Sequence, residues 1–157
     1  MSEPQVPEGV EVDQTRDAVS ATVVVAAPPA EVFDYVRRPA NHAAISGDHT
    51  VQDAVRGPEV LGEGDRFGMA MKLGVPYRVT SQVKELVPDD TIAWAHLGGH
   101  RWRWHVEATD DGQTRLTETF DLSTAKVPPA LRLVGFPGRH RQNVARSVAN
   151  VRDHFRA

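Results

Sequence analysis

The sequence predicts an α+β domain in which one curved antiparallel sheet wraps around a single long C-terminal helix. Residues 139–156 contain neither Gly nor Pro, and their apolar positions recur at helical spacing. These positions are Val144, Val148, Val151 and Phe155. Before them, residues 51–123 form short segments of alternating apolar and polar side chains separated by turn residues, which is typical of antiparallel strands.

Composition and charge indicate one ordinary globular domain. The chain has 157 residues, of which 40% are hydrophobic and 25% charged. It has no cysteine, which excludes disulfides, thiolate metal sites and a cysteine nucleophile. No apolar run is long enough to span a bilayer and no signal-peptide pattern is present, so we expect a cytoplasmic protein.

The domain is expected to cover residues 18–157. Residues 1–17 are acidic and contain Pro4 and Pro7, so we expect a disordered leader that forms at most an extended strand near its end. Residues 19–26 are β-branched and predict the first strand. Pro28 and Pro29 end that strand and begin a short helix, and a second short helix is expected at residues 41–45.

Six more strands complete a seven-stranded sheet. They are expected at residues 51–56, 65–73, 75–87, 91–97, 101–109 and 114–123. The turns between them contain Gly74, Asp89, Gly98 and Gly112. Residues 126–138 are rich in Pro and Gly around apolar side chains, so we interpret them as an apolar flap before the last helix.

Several segments resemble the START-like, birch-pollen-allergen-like superfamily, and within it the bacterial polyketide cyclase/dehydratase and lipid-transport group. The segments are Ala27–Val36, Gly62–Phe67, Glu85–Asp90 before the Trp94 strand, and Thr114–Phe120. The resemblance implies a helix-grip fold with a cavity between sheet and helix that binds an apolar or amphipathic small molecule. It gives no shared catalytic motif. The loop at residues 38–48 departs from the family pattern because it lacks a frequent Trp and holds Asn41, His42 and Ile45 instead.

Glu118 is the most informative residue for function. Alternation places it on the same face as Leu116, Phe120 and Leu122, which should look inward. A buried carboxylate must be paired, hydrated or protonated, and a raised pKa would suit a general acid or base. A shifted strand register, a β-bulge or a structural ion pair with an arginine would also explain the pattern.

The remaining site residues follow from the same alternation. If the protein is an enzyme, the hypothesis is acid–base cyclisation or dehydration of a polyketide-like substrate, with Glu118 transferring the proton and His96 or Tyr77 polarising a carbonyl. Simple core packing is the alternative for both. The expected ligand-binding residues are Phe67, Met69, Met71, Val79, Ser81, Trp94, Trp102, Trp104, Phe120, Leu131, Phe136, Val144 and Val148. Ligand entry is expected through residues 127–138 and the loops at 46–48 and 62–66.

The sequence predicts no metal site and no cofactor. His100 and His105 lie an odd number of residues apart in one strand, and no thiolate or paired-histidine helix motif is present. No nucleic-acid partner and no stable membrane insertion are expected. The rival hypothesis is an interaction protein whose cavity is filled and whose basic C-terminal helix or flap binds a partner. A cavity below about 300 Å³ would favour that rival. Salt-sensitive binding of the basic helix to a membrane surface is a third, less favoured reading.

Overall fold

A computed structural model describes residues 6–95, 99–123 and 136–156. The strands are β1 Glu11–Gln14, β2 Ala18–Val25, β3 Val51–Arg56, β4 Arg66–Leu73, β5 Val75–Val87, β6 Thr91–Ala95, β7 Arg101–Ala108 and β8 Thr114–Asp121. The α-helices in this part of the chain are α1 Pro29–Val36, α2 His42–Ile45 and α3 Phe136–Arg156. None of the helices described is long and apolar enough to cross a membrane.

All strands form one antiparallel sheet in the order β1-β2-β8-β7-β6-β5-β4-β3. The strand at the start of the domain therefore pairs with β8, the last strand before α3. Helix α3 packs against both of these strands. This arrangement confirms the predicted α+β helix-grip fold, in which the sheet curves around the C-terminal helix.

The part of the chain that the structure describes forms eight strands of the sheet, one more than the seven predicted. The additional strand β1 lies within residues 1–17, where the sequence predicted a leader with at most one extended stretch. Its residues 11–14 pair with residues 19–22 of β2 and satisfy backbone groups that an edge strand would leave open. The side chains of β1 are mostly exposed and include two acidic residues, so the segment lacks the apolar alternation that predicts a strand.

Alternation along the strands builds the core. On β2 the inward side chains are Val19, Ala21, Val23 and Val25, all at most 3% exposed. They meet Leu116 of β8 and the stripe Val144, Val148 and Val151 of α3, each fully buried. Burying a side chain of this size stabilises the fold by roughly 1.5–3 kcal/mol. The helical spacing of the α3 stripe therefore fixes which side of the helix faces the sheet.

The outer face of the sheet carries an ion-pair network opposite the core. Glu85 accepts hydrogen bonds from Arg101 Nη1 at 2.7 Å and from Arg103 Nη2 at 2.9 Å. Arg103 also reaches Asp121, with 3.3 Å between Nη1 and Oδ2. Successive side chains of a strand point to opposite faces of the sheet. Since Arg101 and Arg103 point outward, Trp102 and Trp104 lie on the inner face.

Candidate functional site

A cavity of about 290 Å³ lies between the concave face of the sheet and helices α2 and α3. Aromatic, methionine and aliphatic side chains supply most of its wall. The lining residues are His42, Ile45, Ser46, Asp48, Thr50, Val51, Phe67, Met69, Met71, Tyr77, Val79, Ser81, Trp94, His100, Trp102, Trp104, Glu118, His140, Asn143 and Ser147. The volume lies just under the size of about 300 Å³ below which the filled-cavity hypothesis is favoured, so the cavity has room only for a ligand smaller than a typical drug.

Glu118 lies in the cavity wall and is only 5% exposed. Its strand register places it between Ala21 of β2 and Trp104 of β7. Its Oε1 atom has no hydrogen-bond partner among the residues that the structure describes. Burial raises the pKa of Glu118 well above its usual value, a hydrogen bond with Ser147 opposes this, and the charge of Asp48 adds to the rise. The raised pKa favours the neutral carboxylic acid, which can donate a proton or a hydrogen bond.

Trp104 brings a second polar atom to the same place. The side chain is 2% exposed, and its indole Nε1–H finds no acceptor in the described part of the chain. Opposed residues of antiparallel strands have their Cβ atoms about 5 Å apart, so this indole and the Glu118 carboxyl are neighbours. A buried donor without a partner costs roughly 1–3 kcal/mol. Both groups would be satisfied by one acceptor atom of a bound ligand.

His42 also lines the cavity. It was not among the predicted site residues, because the sequence gives no partner for a histidine in the loop at residues 38–48. Its Nε2 lies 2.8 Å from the carbonyl oxygen of Val36, which can only accept, so Nε2 carries the hydrogen. Its ring stacks on Trp94 at 4.8 Å and meets Phe67 edge-on at 5.8 Å. Burial lowers the pKa of His42 to about 4, although the Val36 carbonyl opposes the change. The imidazole is therefore neutral and Nδ1 is an acceptor.

Two further histidines, His100 and His140, also line the cavity. His140, on the first turns of α3, stacks on Phe120 at 4.0 Å and meets Trp102 at 5.1 Å. His100 packs against Phe120 at 5.1 Å. Both histidines are buried. The result is an aromatic wall where strand β8 meets α3.

Hydrogen bonds fix the loop after α2 to α3 beside Glu118. The backbone N–H of Gly47 donates to Ser147 Oγ at 3.0 Å, and the Asn150 side chain donates to the carbonyl oxygen of Ile45 at 3.0 Å. Asp48 accepts from the Thr50 hydroxyl at 2.7 Å, which orients its carboxylate. The loop carries Asp48 and is bonded to Ser147 of α3, and both of these groups act on the pKa of Glu118.

Most of the residues expected at the site line the cavity. Phe67, Met69, Met71, Tyr77, Val79, Ser81, Trp94, Trp102, Trp104 and Glu118 all do. Phe120, Val144 and Val148 are instead fully buried in the core behind the lining, apart from the ring contacts of Phe120. His96, Leu131, the Phe136 side chain and most of the flap at 127–138 fall outside the described residues.

Tyr77 lies at the mouth of the cavity, far along the sheet from Glu118. The register connects Glu118 through Trp104 and Ile92 to Leu86 of β5, nine residues beyond Tyr77. Tyr77 is 39% exposed, whereas Glu118 is buried. The two side chains therefore meet different parts of a ligand.

The described part of the lining is acidic. Asp48 and Glu118 are its acidic groups, and neither Lys nor Arg occurs among the lining residues described. None of these described residues would pair with an anionic ligand, and burying an unpaired charge is costly. Within residues 6–95, 99–123 and 136–156, no group of three or more His, Cys, Asp or Glu side chains is placed to hold a metal ion.

Comparison with known proteins agrees with this architecture. The model of the polyketide cyclase/dehydrase and lipid transport family matches residues 16–156. The chain belongs to this family. It is also 38% identical over 149 residues to the uncharacterized protein Rv0088 of Mycobacterium tuberculosis, covering 92% of this chain and 66% of that protein. The chain thus spans about two thirds of the length of this relative.

Solved structures share the helix-grip fold at low sequence identity. The Zhui aromatase/cyclase from Streptomyces sp. R1128 has a TM-score of 0.63 and 23% identity, over 85% of this chain and 90% of that chain. A protein from Arthrobacter aurescens has a TM-score of 0.69 and 15% identity, over 95% and 93%. At these identities the likeness shows the fold alone.

Proposed function

We propose that this protein binds a small, uncharged, mainly apolar carbonyl compound in the sheet–helix cavity and transfers a proton to its oxygen from Glu118. The observation that carries the proposal is the pair of buried donors at the cavity wall, Glu118 and the Trp104 indole, with polar atoms left unpaired by the described chain. A carbonyl oxygen has two lone pairs and accepts both hydrogen bonds. The family match to polyketide cyclases and dehydrases supports a substrate of this chemistry.

Glu118 is suited to acid catalysis because its raised pKa lies nearer to neutral pH. In ring closure, Glu118 protonates the carbonyl oxygen while an enol carbon of the ligand bonds to the carbonyl carbon, and the resulting carboxylate takes back the proton that the enol hydroxyl releases. In dehydration, Glu118 protonates the hydroxyl oxygen as the C–O bond breaks, water leaves, and the carboxylate takes back a proton from the neighbouring carbon. Both are steps of cyclisation and dehydration. The aromatic wall would hold a planar ligand with its oxygen at the Glu118 end.

His42 is assigned a different role in the part of the cavity wall beside Trp94. A nitrogen whose conjugate acid has a pKa of about 4 is a weak base, so His42 is poorly suited to removing a proton from carbon. Its neutral Nδ1 is instead a hydrogen-bond acceptor. The ligand is therefore expected to present a hydroxyl group some distance from its carbonyl, as phenolic and enolic polyketides do.

Matched ligands test the binding part of the proposal. Aromatic hydroxyketones, their analogues with the carbonyl reduced to methylene, and the corresponding carboxylates are compared by calorimetry. We expect the ketone to bind at least tenfold more tightly than either analogue, because only the ketone satisfies both donors without adding charge. Trp104→Phe should remove much of the preference over the methylene analogue. Trp102→Phe, which removes similar ring area from the same wall, calibrates the effect of lost packing.

Equal affinity for ketone and methylene analogue in the wild-type protein would refute the assignment of the two donors. For catalysis, turnover of a ligand found in this way is measured in the wild type and in Glu118→Gln. The proposal expects a loss of at least a hundredfold, since general acid catalysis typically contributes about 10²–10⁴. Unchanged turnover would leave a binding protein and would overturn the catalytic role of Glu118.

A further inference from the structure

The turn between β4 and β5 carries Val75, the most exposed large apolar side chain of the described chain. Val75 is 68% exposed and Tyr77 39% exposed, and Pro76 between them is exposed as well. Leu73 pairs with Val75 across Gly74 alone, and Gly74 has a φ of 76°. Such a tight turn needs the left-handed region that glycine adopts without strain. The tip, defined here as residues 72–78, is therefore a narrow, regularly paired projection.

Two cations flank the tip. Lys72 precedes the turn on β4 and Arg78 follows it on β5, and both are exposed. Within the described residues, neither side chain makes an ion pair or a side-chain hydrogen bond. Elsewhere on the sheet, Arg101 and Arg103 are paired with carboxylates. The tip thus combines exposed apolar surface with positive charge that the fold does not neutralise.

The tip is continuous with the ligand cavity. Tyr77 pairs with Met71 across the hairpin, and both of them line the cavity together with Val79. Among the described residues, the pairing of β5 with β6 reaches from Val87 to Gln82, which lies opposite Ala95, and residues 75–81 of β5 have no described partner on that side. An apolar ligand that leaves along this part of β5 reaches the tip directly.

We propose that the β4–β5 tip docks the protein on an anionic lipid surface, with Val75 and Tyr77 entering the headgroup region and Lys72 and Arg78 contacting lipid phosphates. A few apolar side chains with basic neighbours are sufficient for reversible interfacial binding. A stable protein interface requires about 800 Å² on each partner and 20–30 residues, which a projection of seven residues does not offer. Docking would bring the mouth of the cavity to the source of an apolar ligand. The proposal goes beyond the proposed function and does not depend on Glu118.

Vesicle sedimentation without added ligand tests this inference. The vesicles are phosphatidylcholine with or without phosphatidylglycerol. We expect the wild-type protein to bind the anionic vesicles, with an affinity that falls as salt is added. Val75→Asp should weaken binding at least tenfold because it places a charge where an apolar side chain enters the interface. Replacing both Lys72 and Arg78 by Gln should weaken binding about 25-fold and remove most of the salt dependence, since each basic side chain near an anionic surface contributes about fivefold.

Val87→Asp is the matched control. Val87 is a 54% exposed valine of the same strand β5, at the end away from the tip, so this variant should bind vesicles as the wild type does. Circular dichroism and melting temperature confirm that each variant is folded. Failure of the folded wild-type protein to bind anionic vesicles would overturn the proposal, as would equal losses in Val75→Asp and Val87→Asp. If the tip variants instead weakened binding to a purified acidic carrier protein while vesicles were not bound, the surface would serve a protein partner and the lipid assignment would be wrong.

Discussion

His42 is expected to make the protein acid-sensitive, and replacing it by Gln should remove that sensitivity. In the folded protein the imidazole stays neutral until the pH falls to about 4, because burial lowers its pKa from 6.5. In the unfolded chain the same side chain takes up a proton below pH 6.5. The unfolded state therefore gains stability as the pH falls through this window, and the folded state does not.

The size of the effect follows from the pKa change. One pKa unit corresponds to about 1.4 kcal/mol, so the fall from 6.5 to about 4 makes the free energy of unfolding about 3 kcal/mol smaller at pH 4 than at pH 6.5. This is a large part of the roughly 5–15 kcal/mol that stabilises a typical domain. Contributions from other titrating groups, Glu118 among them, are common to wild type and variant and cancel in the difference.

Urea unfolding between pH 4 and pH 7 measures the effect. The wild type should lose about 3 kcal/mol more than His42→Gln over this range, although the variant is less stable near pH 7 because it loses the stack on Trp94. His49→Asn is the control, since His49 is exposed and its φ of 60° suits asparagine. It should follow the wild-type pH dependence. If His42→Gln and the wild type lose the same free energy on acidification, the buried neutral imidazole described here is incorrect.

Three further predictions concern the site and the sheet. Glu118→Gln should become progressively more stable than the wild type as the pH rises above 4.5, by up to about 1.4 kcal/mol per pH unit. Only the wild type must keep a buried carboxyl protonated while its unfolded chain releases the proton. Parallel urea midpoints of the two proteins at all pH values would contradict this. Gly47→Ala should lower the free energy of unfolding by at least about 2 kcal/mol in thermal unfolding, since a Cβ at this position overlaps the carbonyl oxygen of Asn143 and the Cβ of Arg146. An unchanged melting temperature would show that the loop can move away from α3. Glu85→Gln should lower the free energy of unfolding by about 1 kcal/mol at low salt and by less at high salt, because the side chains of its two arginine contacts are about one-third exposed to solvent. A loss that does not depend on salt would mean that packing matters more than charge.

Much of the fold follows from periodicity along the chain. The alternation in β7 and β8 indicated the inner face, and it placed Glu118 and Trp104 among apolar neighbours. The spacing of Val144, Val148 and Val151 indicated the buried side of α3. The strand β1 was predicted only as an extended stretch near the end of the leader, because its mostly exposed side chains carry no apolar period.

The cavity itself could not be read from the sequence. Periodicity distinguishes inside from outside, but it does not tell a core residue from a residue that faces empty space. On helix α3, Val144 and Val148 are next in sequence to the cavity residues Asn143 and Ser147. The two valines are nevertheless buried in the core, where α3 packs on β2. His42 becomes a site residue only through its contact with Trp94, which is 52 positions away in the sequence. Long-range packing of this kind has no local signal.

The protonation state of Glu118 at neutral pH tests the central claim most directly. Carbon-13 NMR of protein labelled at the glutamate carboxyl carbons gives a titration curve for each glutamate, and the Glu118 signal is identified by its absence from Glu118→Gln. We predict that this signal remains in its protonated position near pH 7 and titrates well above the 4.5 of an ordinary glutamate. A Glu118 signal that titrates near 4.5 would show an ionised carboxylate in the cavity and would contradict its proposed role as a proton donor.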